Sequence, residues 1–346
     1  MNEQSNRWMY RWSMLTACLT FPLIWLGGLV TTHDAGMAVP DWPGTFGYNM
    51  FLYPWTTWLF GPFDLLVEHG HRQLASIVGI LAIIMVIVSS CTEKRRWAHR
   101  LGWLFLLLVV SQGILGGVRV LLDERVMAMV HGIVGPAIFA LACYLVMINS
   151  RSWETAGEEA LKHPFRGRWL RRAAWGLLIL SYVQLIVGAQ IRHALPDWRP
   201  NLFLSFVHTH LLFATLITGL ILLIAAAVFL SRYRRTTDFS APALSLVFCV
   251  LLQVLLGLGT WVATFALPWQ EWNKFFATYT IAGRGFAESM IVNGHQATGS
   301  LLIVCALWLL CRVERRYAAS RFADAMGRSK HSPGDARLRE QTSPGT

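Results

Sequence analysis

The residues best equipped for chemistry in this sequence are Glu68, His69, His71 and Arg72, which follow one another within about one helical turn. They stand at the start of a long apolar run, where ionisable side chains are costly in lipid and usually mark a functional site. Glu68 precedes His71 by three residues, so both side chains share one helix face. A carboxylate there can act as a proton donor, a base or a stabiliser of positive charge. The alternative is a structural acid that is favoured by the dipole of the helix N-terminus.

Three further histidines repeat the position of His71 along the chain. His71 and His210 are each followed four residues later by alanine, and His131 and His295 are each followed four residues later by glycine. A single membrane histidine is more often a hydrogen-bonding residue, but two facing imidazoles from different helices suit a six-coordinate haem iron. We therefore predict that His71 pairs with His131, and that His210 pairs with His295, to bind haem. Zinc is a weaker interpretation, because no cysteine or carboxylate set completes a closed tetrahedron.

The remaining ligand candidates are less favoured. His69 and His208 each precede a proposed ligand by two residues, which turns them about 200° around the helix. The register of the repeat favours His210 over His208, and the choice between them stays open at this point. Three arginines lie on the predicted haem side, where they would either pair with haem propionates or serve as ordinary loop charges: Arg119, Arg125 and Arg192.

Eight apolar runs along the chain are long enough to cross about 30 Å of hydrocarbon. We expect each run to be a helix, because a single open strand would leave its backbone groups unpaired in lipid. The predicted limits are 12–31, 68–91, 98–120, 127–149, 170–190, 203–230, 241–265 and 289–311.

The composition is typical of a polytopic membrane protein, since 55% of the 346 residues are hydrophobic and 14% are charged. The net charge of +11 does not indicate nucleic-acid binding, because the basic residues form short clusters between apolar runs, as topology signals do. Most of the 30 lysines and arginines fall on one side of the alternating runs, which the positive-inside rule makes cytoplasmic. Both termini are therefore predicted to be cytoplasmic.

The six cysteines form no CxxC pair and are interpreted as small buried hydrophobic residues.

The chain divides into two similar halves. Gln112 in the third apolar run and Gln253 in the seventh are each followed four residues later by glycine. A four-helix unit that occurs twice in parallel orientation explains this pattern and the histidine repeat. We predict an N-terminal four-helix bundle over 1–150, a cytoplasmic linker over 151–169, a C-terminal four-helix bundle over 170–316 and a disordered cytoplasmic tail over 317–346. Val207 replaces Glu68 in the second half, which puts the predicted reactive pocket in the first.

Several motifs resemble the haem A synthase family over roughly residues 10–315. They are the segment from Gly27 to Pro43 (GGLVTTHDAGMAVPDWP), the segment from Glu68 to Ala75, the glutamine motifs at 112–117 and 253–260, His131 with Gly132, and His295. The resemblance implies two four-helix bundles that oxidise a methyl group of haem O to the formyl group of haem A for cytochrome oxidase. It further implies that Glu68 is the catalytic acid and that His71 and His131 flank the substrate haem. His210 and His295 would hold a haem b that passes electrons.

Two departures from the family pattern matter. Many relatives carry a cysteine pair in the first outer loop, and this chain has none there, so no redox role is assigned to that loop. The sixth apolar run reads His208-Thr209-His210-Leu211 and lacks the His-Arg pair of relatives, which leaves the ligand choice in that helix open.

The sequence thus predicts a haem A synthase in a bacterial inner membrane, acting by two successive hydroxylations of haem O. The alternatives are a di-haem b-type electron-transfer cytochrome, which does not explain an acid in only one half, and a transporter built on internal repeats. Candidate partners are the enzyme that makes haem O, cytochrome oxidase assembly factors, an electron donor, membrane lipid and a second copy of the chain.

Overall fold

A computed structural model describes residues 3–153, 167–195, 197–230, 237–265 and 285–329. Eight of its helices are long and apolar enough to cross a membrane, and the described ranges contain no strand. The chain is therefore an all-α, multi-pass membrane protein, which confirms the predicted fold class.

Each predicted apolar run lies on one of the long helices, to within a residue. Several helices extend further than the apolar runs. Only the part of a helix that lies in lipid has to be apolar, whereas its backbone hydrogen bonds can continue through polar flanking residues. The long helices are α1 (Glu3–Thr32), α3 (Phe63–Thr92), α4 (Arg96–Leu122), α5 (Arg125–Ile148), α6 (Arg168–Arg192), α7 (Pro200–Leu230), α8 (Ser240–Phe265) and α9 (Phe286–Ser329), and a short α2 spans Trp55–Leu59.

The long helices pack as two rings. Helices α1, α3, α4 and α5 contact one another in a closed cycle, and α6, α7, α8 and α9 form a second cycle. The rings meet where α1 contacts α9, where α5 contacts α6 and where α5 contacts α9. If α1 is matched to α6 and α5 to α9, the contact between α1 and α9 corresponds to the contact between α6 and α5. The contact between α5 and α9 then corresponds to itself. The arrangement is therefore consistent with two pseudo-symmetric bundles.

Each ring has its own apolar core. Small residues such as Ala17 and Ala142 in the first ring, and Ala174 and Ala306 in the second, let the helices approach closely. Large side chains fill the remaining space: Met85, Phe105, Leu145 and Ile148 in the first ring, and Leu177, Ile221, Leu246 and Leu309 in the second. The outward faces carry exposed apolar side chains, as expected of helices that face lipid.

Helix α9 continues well past the predicted membrane span. It remains helical to Ser329, so residues 317–329 are not the disordered tail that we expected, and 330–346 lie outside the described residues. Contacts with other elements hold the start of this extension. The guanidinium of Arg171 lies 4.8 Å from the ring centroid of Tyr317, and Arg316 forms an ion pair of 2.7 Å with Asp238. These contacts give the polar end of α9 tertiary partners that its composition does not reveal.

Candidate functional site

The structure brings the four repeated histidines together in two pairs, one in each ring. His71 on α3 faces His131 on α5, with ring centroids 6.3 Å apart and an angle of 67° between the ring planes. His210 on α7 faces His295 on α9, with corresponding values of 6.2 Å and 62°. Each pair joins helices that lie opposite each other in their ring, so the two imidazoles meet inside it. We call this end of the rings the histidine end.

The paired imidazoles fit a haem iron. A metal–imidazole bond is about 2 Å long, so a separation of about 6 Å between ring centres suits two nitrogens that bind one metal from opposite sides. Among the described residues, no group of three or more His, Cys, Asp or Glu side chains is placed to hold a metal ion. A six-coordinate haem iron takes four nitrogen ligands from the porphyrin, so it needs two ligands from the protein.

The Nδ1 atoms of the four imidazoles differ in their hydrogen-bond partners. The Nδ1 atoms of His71, His131 and His210 are buried and form no well-aligned hydrogen bond with a described residue. The carbonyl groups of Leu23 and Gln112 nevertheless lie near the rings of His71 and His131. In the fourth case, Nδ1 of His295 lies 3.2 Å from the Gln253 carbonyl oxygen. A metal-binding histidine commonly directs its second nitrogen at such a carbonyl, which orients the ring.

The structure separates His210 from the alternative ligand in the same helix. His210 faces His295, whereas His208 is exposed on another face of α7. In α3, His69 likewise points away from the imidazole pair. It is fully buried, lies 3.2 Å from the Thr45 hydroxyl and packs against the ring of Trp58. His69 therefore anchors the chain segment that follows α1.

Glu68 and Arg72 hold the connection between α1 and α3, residues 33–62. The Glu68 carboxylate is buried, accepts a 2.8 Å hydrogen bond from the Val39 backbone N–H and forms a 2.8 Å ion pair with Arg72. Arg72 also donates to the carbonyl oxygens of Val39, at 2.6 Å, and Asp41, at 2.7 Å. A buried charge is tolerated when it is paired and hydrogen-bonded in this way. Both oxygens of Glu68 therefore have structural partners, which gives weight to the structural alternative for this residue.

Residues 33–62 form an ordered cover at the histidine end of the first ring. The indole of Trp42 lies so close to Gly117 of α4 that any side chain at that position would overlap it. The Asp41 carboxylate accepts hydrogen bonds from the N–H groups of Phe46 and Gly47, at 2.7 and 3.0 Å. Although its partial burial acts to raise the pKa of Asp41, these hydrogen bonds hold that pKa below its usual value. The matching connection in the second half, residues 193–199, is much shorter.

The three candidate arginines have different environments. Arg192 donates hydrogen bonds of 2.8 Å to the Gly28 carbonyl and 2.7 Å to the Thr32 hydroxyl, which ties α6 to α1. Arg125 is exposed, whereas Arg119 is partly buried and lies against Gly36 in the cover. The charge of Arg119 acts on His71 and on His131, which places this guanidinium beside the first pair.

The half-buried side chain of His193 lies near all three of these arginines. Burial lowers the pKa of His193 to about 4, which keeps this side chain neutral at pH 7. Burial is the largest cause, and the positive charges of three nearby arginines contribute to the same lowered pKa: Arg192, Arg119 and Arg125. The histidine end therefore concentrates positive charge where a ligand that carries carboxylates would meet it.

The sequence comparison of the halves missed one glutamine motif. Gln112 donates 2.7 Å to the carbonyl oxygen of His131, and Gln184 donates 2.9 Å to that of His210. Gln184 is followed four residues later by Gly188, as Gln112 and Gln253 are followed by their glycines. Extending the search for this spacing to the fifth apolar run would have found it.

Fold and site together define a multi-pass membrane protein with two bis-imidazole sites, one of them covered and flanked by a buried acid. The sequence profile of the family described as cytochrome oxidase assembly protein (COX15-CtaA) matches residues 10–195, more than half of the chain. The chain belongs to this family.

Curated relatives with the name heme A synthase are similar to parts of this chain. The protein of Exiguobacterium sibiricum is 26% identical over 188 residues, which cover 52% of this chain and 59% of the relative. That of Symbiobacterium thermophilum is 29% identical over 189 residues, 51% of this chain and 56% of the relative. The match to the protein of Shouchella clausii is longer, with 24% identity over 272 residues, 73% of this chain and 84% of the relative. The chain thus spans less than two thirds of the first two relatives.

Proposed function

We propose that this chain is a haem A synthase, an oxidoreductase that converts a methyl group of haem O into the formyl group of haem A. The observation that carries the proposal is the difference between two geometrically matched imidazole pairs. Both have ring centres 6.2–6.3 Å apart, but among the described residues only the first has a buried acid one helical turn from one of its histidines, Glu68, and lies under the cover formed by residues 33–62. Membership of a cytochrome oxidase assembly family and the names of the relatives support the same activity.

The two halves then have separate tasks. In the first, His71 and His131 flank the substrate haem O, and in the second, His210 and His295 hold a resident haem b. When bound, the haem supplies the iron and the redox chemistry. The protein orients the substrate, excludes water beneath residues 33–62 and moves protons. The methyl carbon would be hydroxylated twice with dioxygen as the oxidant. Each time one oxygen atom enters a C–H bond to give C–OH, and two electrons from the donor and two protons reduce the other oxygen atom to water. The geminal diol then loses water to give the aldehyde.

In this proposal, Glu68 is the catalytic acid of the first half. Its carboxylate lies one helical turn from His71 on the same face of α3, within reach of proton exchange at the covered site. The ion pair with Arg72 and the hydrogen bond from Val39 orient the carboxylate from the side of the cover. An acid held by several partners keeps one geometry, which general acid catalysis requires.

The membrane orientation and the partners are also part of the proposal. The charge distribution supports cytoplasmic termini, which puts the histidine end at the outer face of a bacterial cell membrane. The reaction requires an electron donor and a supply of haem O. The enzyme that makes haem O, other cytochrome oxidase assembly factors and a second copy of the chain are therefore the partners to look for.

Expression with and without a source of haem O tests the function. Chromatography of the extracted haems should give haem A, with a hydroxylated haem as intermediate, only when haem O is supplied. The double variant His71→Ala/His131→Ala is the control and should leave haem O unchanged. Wild-type protein that retains a b-type haem but never modifies haem O would be an electron-transfer cytochrome instead.

Arg119 is the arginine that we propose to bind a propionate of the substrate haem. The substitution Arg119→Leu is expected to weaken haem binding in the first half by roughly 10- to 100-fold, because a charge-assisted hydrogen bond is lost beside the imidazole pair. Titration of the haem-depleted protein, followed by absorbance, measures this. The exposed Arg125 is the matched control, and Arg125→Leu should bind haem normally. Equal affinities for the two variants would rule out the role of Arg119.

A further inference from the structure

Each of the four paired imidazoles rests on a glycine of the spanning helix that precedes its own. If the glycine carried a Cβ atom, that atom would lie 2.9–3.1 Å from Cε1 of the ring in all four cases. The contacts are Gly27 with His71, Gly116 with His131, Gly188 with His210 and Gly257 with His295.

The four contacts follow one rule of position. The glycines lie on α1, α4, α6 and α8, and the histidines lie on α3, α5, α7 and α9. The chain thus consists of four antiparallel helix pairs, in which the first helix supplies the glycine and the second supplies the imidazole. A contact that recurs four times at the same place in the fold has a common cause.

That cause is steric. Carbon atoms that are not bonded to each other approach to about 3.5–4.0 Å, so any side chain at these positions would displace the ring. Glycine is a poor helix former, and its recurrence against all four rings, within the last turns of each helix, indicates a need for close approach at these positions. Not every helical glycine of this chain is contacted in this way. Some lie against other side chains, such as Gly28, Gly117 and Gly259, and five have open space at the Cβ position: Gly79, Gly113, Gly132, Gly176 and Gly219.

Close approach also brings Nδ1 of the ring towards the helix backbone. Nδ1 of His295 lies 3.2 Å from the carbonyl oxygen of Gln253, four residues before Gly257. The carbonyls near His71 and His131 belong to Leu23 and Gln112, which likewise precede their glycines by four residues. The glycine surface and this carbonyl together define both the position of the ring and the direction of its second nitrogen.

We propose that the four glycines Gly27, Gly116, Gly188 and Gly257 are positioning residues that set the plane of each haem-ligating imidazole. The inference rests on the proposed haem ligands but not on haem A formation. In each half, two such surfaces hold the two ring planes at an angle to each other, which is 67° in the first half and 62° in the second. The angle between two imidazoles that both bind a haem iron would influence the electronic structure of that iron, so these glycines would tune the site without contacting the metal.

The test uses the full-length protein purified with its haem. Gly188→Ala and Gly257→Ala should shift the low-spin EPR signal and the midpoint potential of the second-half haem. Gly176→Ala and Gly219→Ala, on α6 and α7, should leave both unchanged. Gly27→Ala and Gly116→Ala should alter only the first half, with Gly79→Ala as control. Unchanged EPR signals and potentials in all four contact variants would overturn the proposal.

Stability and activity measurements separate the other outcomes. Thermal unfolding of haem-free protein should be similar in contact and control variants. If the contact variants alone lose their fold without haem, the glycines serve helix packing and the proposal fails. A shifted EPR signal in a protein that never forms haem A would sustain the positioning role and refute the proposed enzyme. Purified wild-type protein without haem would refute both.

Discussion

Replacing Glu68 with glutamine is expected to lower haem A formation by about 100-fold or more while bound haem stays near the wild-type level. Glutamine keeps the size of the side chain and an oxygen that can accept the Val39 hydrogen bond, but it cannot release a proton. Chromatography of haems from cells supplied with haem O measures the loss. Absorbance of the purified protein measures the bound haem.

The control for this experiment is on the same helix. Asp64 is an exposed acid in the first turn of α3, and Asp64→Asn should form haem A normally. Normal haem A from Glu68→Gln would instead assign Glu68 to the structural role that its contacts with Arg72 and Val39 suggest. In that case the cover should loosen, and limited proteolysis of residues 33–62 would be faster than in the wild type.

Removing the second-half ligand should abolish most of the resident haem. His210→Ala leaves His295 as the single imidazole at that site, so the bis-imidazole spectrum of the second half should be lost. His208→Ala is a matched control, because this histidine lies two residues away on the same helix and is exposed. It should retain the wild-type spectrum and haem content. The reverse result would show that helix α7 turns its other histidine inward.

The two halves of the chain differ in the features that the proposed oxidation of haem O requires. Their imidazole pairs have nearly the same geometry, and their helices follow the same cyclic order. The differences are the acid at position 68, where the second half has Val207, and the length of the connection above the pair. Under the proposed function, the copy with Val207 would serve for electron transfer, and the carboxylate and the cover would make the other copy reactive.

The sequence by itself determined the spans, the repeat and the candidate ligands. In lipid a backbone has no water to bond with, so an apolar run of about twenty residues has to be a helix. The eight runs could therefore be read from hydropathy alone, and each lies on one long helix. The four histidines were identifiable because an imidazole in such a run is rare, and its repetition four times is not accidental.

Only the tertiary structure decided how these residues meet. The pairing of His210 rather than His208 with His295, the contacts of Glu68 with the cover and the four glycine surfaces all join distant parts of the chain. The part of α9 beyond the predicted span likewise has partners in other helices, such as Arg171 against Tyr317. Local sequence cannot specify such contacts, because they depend on how helices rotate about their axes and on which faces come together. Hydropathy sets only where each helix crosses the lipid.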